Sequence, residues 1–348
     1  RELTHLPYEF LDRIAGRFKV MADLVTYETE LPQEGRVPAS AEFGNVELRV
    51  SIFPTVRGEK IVIRLFDPQN RSFNLETLGF ETDTIERFKK LIRQPSGLIL
   101  LNGPTGSGKT TAIYSALCHL IDIHGPTISI STVEDPVEFN LPMISQSQIS
   151  NSRGFTYPKA LRSLMRQDPE AIMIGEIRDA ETAAIAVQAG LTGHMIFSTI
   201  HSDSTAGVYA RLINMDIEPF LLASSVTGVL GLRLLRTICP GCKIQTQPNP
   251  EYLSLLPDGF AEENEFYTGT GCDSCSQTGY LGRVAATELL NSSEAVREGV
   301  IQKLRTSKLH DIAIEQGMTT LWQNAMAKVQ RGITSLEEVI RVISINQL

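Results

Sequence analysis

Apolar residues recur along this chain in two rhythms. Between residues 5 and 25 they fall at mixed helical spacing: Leu6, Phe10, Leu11, Ile14, Phe18, Met21 and Leu24. That spacing predicts a helix. LPQEGRVPAS (31–40) breaks the rhythm with Pro and Gly and reads as turn. Two strand-like runs come next, VELRVSIF (46–53) and KIVIRLF (60–66), with Gly58 between them able to take positive φ. They predict a hairpin in a small α+β domain. FDPQNRSFNLETLGF (66–80) is polar and turn-forming and reads as an inter-domain linker. Beyond it helices and strands alternate. TIERFKKLIR (84–93), TAIYSALCHL (111–120), YPKALRSLMRQ (157–167) and DAETAAIAVQAG (179–190) read as helices, the last with Asp179 as N-cap and Gly190 as stop. GLILLN (97–102), TISISTVED (127–135), AIMIGE (171–176) and HMIFSTIHS (194–202) read as strands. Such alternation predicts an α/β fold with a mainly parallel sheet covered by helices on both faces.

The most apolar long stretch, PFLLASSVTGVLGLRLL (219–235), contains two glycines, several hydroxyls and Arg233. It reads as a buried helix and its continuation rather than a membrane span. Composition adds little: 348 residues fit about two domains, and 42% hydrophobic and 21% charged residues are ordinary for a globular chain. The net charge of −8 counts against nucleic acid as the main partner. No signal peptide is read, and a chain starting at Arg1 is expected to be a piece of a longer protein.

The segment 103–111, GPTGSGKTT, supplies the first chemistry. It matches the phosphate-loop pattern and lies between a predicted strand and a predicted helix, the context the pattern requires. Gly103, Gly106 and Gly108 let the backbone amides turn inward, with Pro104, Thr105 and Ser107 between them. Those amides and the helix dipole favour an anion. Lys109 would reach the β/γ-phosphates of a nucleotide, Thr110 would hold Mg²⁺, and Thr111 completes the nucleotide-binding run 103–111. Glu176 ends the third strand, where the Mg²⁺-associated acid of a nucleotidase is expected. Glu134, Asp135 and Glu138 crowd the end of the second, and spacing alone does not say which would polarise a water. His201 closes the fourth strand and suits a γ-phosphate sensor. His194, at the other end, reads equally well as a satisfied core residue. Arg162 and Arg166 stand i,i+4 on one predicted helix, and Arg178 lies two residues after Glu176. Arg49 shares a strand face with Glu47 and Ser51, and Arg64 with Val62 and Phe66. Each arginine suits either phosphate or a surface ion pair. Four of the five cysteines form CPGC (Cys239, Cys242) and CDSC (Cys272, Cys275), the pattern of a closed tetrahedral Zn²⁺ site stapling a small insertion at 237–283. Cys118 reads as a small buried residue.

Taken together these motifs resemble the secretion ATPases of type II secretion systems and the assembly ATPases of type IV pili. GPTGSGKTT resembles their Walker A, STVEDPVE their Asp box, LRSLMRQDPEAIMIGEIRD (161–179) their Walker B and TGHMIFSTIHSD (192–203) their His box. The resemblance runs through essentially the whole chain. It implies a RecA-like P-loop domain over 76–348, with the zinc subdomain at 237–283 and a C-terminal helical part at 292–348. It implies part of a PAS-like second N-terminal domain plus linker over 1–75, entered partway, with the preceding docking domain absent. It also implies Glu134 as catalytic carboxylate, Glu176 as Walker B acid, His201 as γ-phosphate sensor, and Arg49, Arg64, Arg162, Arg166 and Arg178 as nucleotide-directed, beside Lys109. The expected protein is a cytoplasmic, Mg²⁺-dependent ATP hydrolase, a homo-oligomer and by family a hexamer. It would sit peripherally at the inner membrane through a polytopic platform protein and a cytoplasmic adaptor, with no nucleic acid bound. The competing reading is a RecA-like nucleic-acid translocase or helicase, since fold alone does not separate the two.

Overall fold

The computed structural model describes residues 4–66, 73–253, 256 and 264–343. The chain divides into two compact units, 1–72 and 73–348.

In the first unit the two apolar runs form strands β2 (Val46–Thr55) and β3 (Gly58–Phe66), joined by a tight turn with Gly58 at φ 110°. Their inner face, Leu48, Val50 and Ile52, is buried with Val37 against helix α1 (Leu11–Met21). Residues 31–40 correct the sequence reading: Gln33–Ser40 is a strand, β1, paired antiparallel to β2. Its Pro is tolerated because β1 lies at the edge of the order β1-β2-β3. Its Gly lets the strand approach the end of α1, where a Cβ on Gly35 would stand 2.3 Å from the Ala22 carbonyl oxygen.

The second unit is built on a seven-stranded sheet of order β12-β9-β4-β8-β7-β5-β6. Strands β4 (Gly97–Asn102), β5 (Ile130–Glu134), β6 (Ser145–Gln148), β7 (Ala171–Ile174), β8 (Met195–Ile200) and β9 (Val226–Ile238) run parallel, and β12 (Tyr280–Asn291) runs antiparallel to β9. Interior β4 is apolar from Leu98 to Leu101 because both its faces are covered. Leu98 and Leu100 join the cluster beneath α4 (Tyr157–Leu164) and α5 (Ala180–Leu191), while Ile99 and Leu101 join the one beneath α2 (Thr82–Ile92) and α3 (Lys109–His124). A third cluster packs the C-terminal helices Leu321–Gln330 and Leu336–Val342 on β9 and β12. No helix among the described residues is long and apolar enough to cross a membrane.

Several expectations change. The stretch after the helix at Pro219–Ser225 is a thirteen-residue strand, and SQSQ, which no apolar pattern marks, is edge strand β6. Gly190 does not stop α5, which runs on to Leu191. It lies instead where the helix touches β4, its would-be Cβ 3.2 Å from the Gly97 carbonyl carbon. Asp179 does cap that helix, accepting from the Thr182 amide at 2.8 Å. Part of the stretch read as a linker, residues 67–72, lies outside the described residues. Phe66 ends β3 of the first unit, and residues 73–80 are packed into the second: Leu75 and Phe80 are buried, and the Phe73 ring stands edge-on to Tyr114 and Phe139 at centroid distances of 5.2 and 5.6 Å.

Candidate active site

The carboxyl ends of β4, β5, β7 and β8 gather the predicted chemistry at one edge of the second unit, where open α/β sheets bind ligands. After β4 the chain enters the phosphate loop with Gly103, Gly106 and Gly108 at φ 151°, 78° and 95°. Gly103 is required for space as well as angle, since a Cβ there would meet the Leu232 carbonyl oxygen at 2.5 Å. Ser107 is buried, whereas Pro104, Thr105 and Gly106 are exposed. Lys109 and Thr110 open α3, so the loop amides and the positive helix end face the same space, with Thr110 and Thr111 partly exposed. The Lys109 ammonium donates to the carbonyls of Gly103 and Pro104 at 2.7 and 2.9 Å. Burial, reinforced by the nearby Arg233 guanidinium, lowers its pKa to about 8, while Glu176 and Glu138 oppose the shift. A cation held this way is strongly drawn to an anionic ligand that replaces its lost solvation.

Glu134 is the last residue of β5 and is buried, with both carboxylate oxygens bonded. Thr132 Oγ1 and Gln146 Nε2 donate to Oε1 at 2.5 and 3.1 Å, and the Tyr114 hydroxyl donates to Oε2. Its neighbours Asp135 and Glu138 are both exposed. Glu176, two residues beyond β7, is half-buried and paired with Arg178. Just before it, Gly175 lies under Tyr157, whose hydroxyl would be 2.6 Å from a Cβ. His201 lines an open cleft of about 1250 Å³ with Gly103, Pro104, Arg211 and Arg233. Partial burial and then Lys109 lower the pKa of its imidazole, while Glu176 opposes the shift. His194 is held by its own turn, its Nδ1 3.2 Å from the Ala189 carbonyl oxygen.

The arginines separate. Arg162 pairs with Glu181 on the exposed surface of α4 and α5. Arg166 does not share a helix face with it, because α4 ends at Leu164 and Arg166 lies in the turn beyond, its amide bonded to the Ser163 carbonyl. Arg49 and Arg64 belong to the first unit, where the strand register sets them directly opposite each other. Arg36 of β1 stands opposite Arg49, so three arginines form one row across that sheet. Arg36 escaped sequence reasoning because its strand did. Arg233 escaped it too, as a single charge in an apolar run. Its Nη1 donates to the Leu232 carbonyl at 2.9 Å, beside Gly103. Tyr114 gave no signal, since an aromatic residue on a buried helix reads as core.

The four cysteines form a second centre. Ile238 of β9 pairs with Tyr280 of β12, so residues 239–279 leave and rejoin a closed strand pair. Within them β10 (Lys243–Thr246) and β11 (Phe266–Gly269) make a two-stranded sheet. The Sγ atoms of Cys239, Cys242, Cys272 and Cys275 lie within 4.8 Å of one another. Cys239–Cys272, Cys242–Cys275 and Cys272–Cys275 stand 3.8, 3.9 and 3.7 Å apart. A tetrahedron with metal–sulfur bonds of about 2.3 Å has edges of about 3.8 Å. The amides of Gly271, Cys272 and Gly279 point at two of the sulfurs at 3.2–3.3 Å, as suits thiolate charge. The cluster fits a four-coordinate metal.

A model of the family described as "Type II/IV secretion system protein" matches residues 1–341. The chain is 41% identical over 342 residues to the type IV pilus assembly ATPase PilB of Thermus thermophilus, covering 98% of this chain and 38% of that protein. It is 42% identical over 344 residues to PilB of Myxococcus xanthus, with 97% and 60% covered. It is 41% identical over 329 residues to the type II secretion system ATPase E of Vibrio cholerae, with 94% and 65% covered. The chain therefore spans 38–65% of these three relatives. Among solved structures it shares the fold of the pilus retraction motor PilT with bound ADP (TM-score 0.63, 24% identity, 90% of this chain and 77% of that one). It also shares the fold of the Yersinia pseudotuberculosis ATPase DotB (TM-score 0.67, 22% identity, 98% and 83%).

Proposed function

The chain belongs to the Type II/IV secretion system protein family, and from that premise we propose that it is the catalytic part of an ATP-hydrolysing motor for type II secretion or type IV pilus assembly. The observation that carries the reading is convergence at one sheet edge: a phosphate loop with a desolvated lysine, a buried carboxylate, a second acid and an imidazole lining the same cleft. In this reading the loop amides and Lys109 bind the phosphates, with Arg162, Arg166 and Arg178 also nucleotide-directed. Glu134 takes a proton from the attacking water, and His201 meets the γ-phosphate. Arg49 and Arg64 contribute positive charge from the first unit. Thr110 and Glu176 would hold Mg²⁺. When bound, the ion offsets the negative charge of the phosphates.

The second unit is read as a RecA-like domain and the first as part of a PAS-like one, with the chain between them as hinge. Differential affinity of open and closed arrangements for ATP would convert binding into motion. In this reading the motor works as a homohexamer in the cytoplasm, held at the inner membrane by a platform protein and an adaptor.

The deciding measurement is phosphate release from ATP with magnesium, with and without single- and double-stranded DNA. Turnover indifferent to DNA supports the secretion or pilus motor. Turnover that needs DNA and falls steeply with salt would make the chain a translocase.

The cysteine cluster is read as structural Zn²⁺, since four ligands leave no open position. One zinc per chain is expected by elemental analysis. Cys272→Ser should bring that close to zero and lower the melting temperature by roughly 6–12 °C, the equivalent of about 3 kcal/mol. Full stability without zinc would refute the assignment.

A further inference from the structure

The reading of Glu134 as base leaves open what aims it, and this inference rests on that reading. A carboxylate offers about four lone-pair sites. In this protein Thr132 and Gln146 occupy two on Oε1, and Tyr114 occupies one on Oε2. Among the described partners, Oε2 keeps one lone pair. We propose that Tyr114, supported by Gln146, is the positioning residue of the catalytic carboxylate, and that Oε2 is the oxygen that receives the proton. The water's O–H bond breaks as its oxygen bonds the terminal phosphorus. The proton passes to Oε2, and the electrons of the bridging P–O bond leave with ADP.

Three observations favour this over simple core packing. Tyr114 is fully buried, and a buried hydroxyl is costly unless bonded, so a phenylalanine would fill the space at less risk. Its ring is held edge-on by Phe73. Burial, then the bond to Glu134, pushes the phenol well above the usual tyrosine range, so it remains a donor. Gln146 is fixed as firmly. Its carbonyl oxygen accepts from the Leu141 amide at 2.6 Å, and its nitrogen donates to both Glu134 and the Phe139 carbonyl. The amide can therefore face only one way. Tyr114 stands on α3, the helix that begins at Lys109. One rigid element thus sets the phosphate loop and the base together.

The test is Tyr114→Phe, which removes only the hydroxyl. Turnover should fall about tenfold, with the KM for ATP within about twofold of wild type and the melting temperature little changed. In a Glu134→Gln background the same change should have almost no further effect, because positioning has nothing left to act on. Gln146→Leu should give the same pattern, and it carries the test if Tyr114→Phe folds poorly. Unchanged turnover in Tyr114→Phe, or an undiminished tenfold loss in the Glu134→Gln background, would overturn the inference. Wild-type turnover in Glu134→Gln alone would instead remove the base reading beneath it.

Discussion

Exchanging Glu134 for Gln is expected to lower ATP turnover by about 10²–10⁴-fold, the usual contribution of a general base, while nucleotide affinity stays within about threefold. The amide can take the carboxylate's place without strain. Its oxygen accepts from Thr132 and Gln146, and its NH₂ donates to the Tyr114 hydroxyl, which turns to act as acceptor. The fold and the phosphate loop should therefore survive, and only the capacity to take a proton is lost. Steady-state phosphate release beside titration with a fluorescent nucleotide separates the two effects. Turnover within about fivefold of wild type would move the base to another carboxylate, with the more accessible Asp135 and Glu138 next in line.

Arg64→Ala should be the other severe lesion, with turnover down by about 10³-fold, in the range of a lost arginine finger, and nucleotide affinity changed by less than about tenfold. The motive is the arginine row. Like charges directly opposite on neighbouring strands destabilise a sheet, yet Arg36, Arg49 and Arg64 stand in register across three. Such a row is tolerable where its outward face meets an anion. Glu47 lies 3.6 Å from Arg49. If the row serves the terminal phosphate, its loss falls on the transition state more than on binding. Single-turnover hydrolysis with ATP titration resolves this, and unimpaired single-turnover rates would detach the first unit from catalysis.

How much of this the sequence carries depends on how local each signal is. The phosphate loop is contiguous and its backbone needs glycine, so nine residues announce it. Strands β4, β7 and β8 are buried along their length and are written as largely apolar runs. Edge strands need no such runs. QEGRVPAS and SQSQ are strands because a neighbour offers them hydrogen bonds, and pairing across the chain leaves no periodic trace. Arg36 and Gln146 are hidden for the same reason. Gly190 looks like a helix stop to any local rule, but its cause is the backbone of β4 on the far side of a contact. Tyr114 is hidden differently. On a helix that buries most of its length, nothing local separates a side chain that fills space from one whose oxygen holds a carboxylate.

The seat of Phe73 bears on how the two units can be studied apart. Its ring braces Tyr114 at the very start of the second unit, just after the segment leading from the first. A truncation begun a few residues later would remove the brace together with the neighbouring unit. A sluggish fragment of that kind would report a loosened tyrosine as though it were a missing partner. Fragments cut ahead of Phe73 keep the two causes separate.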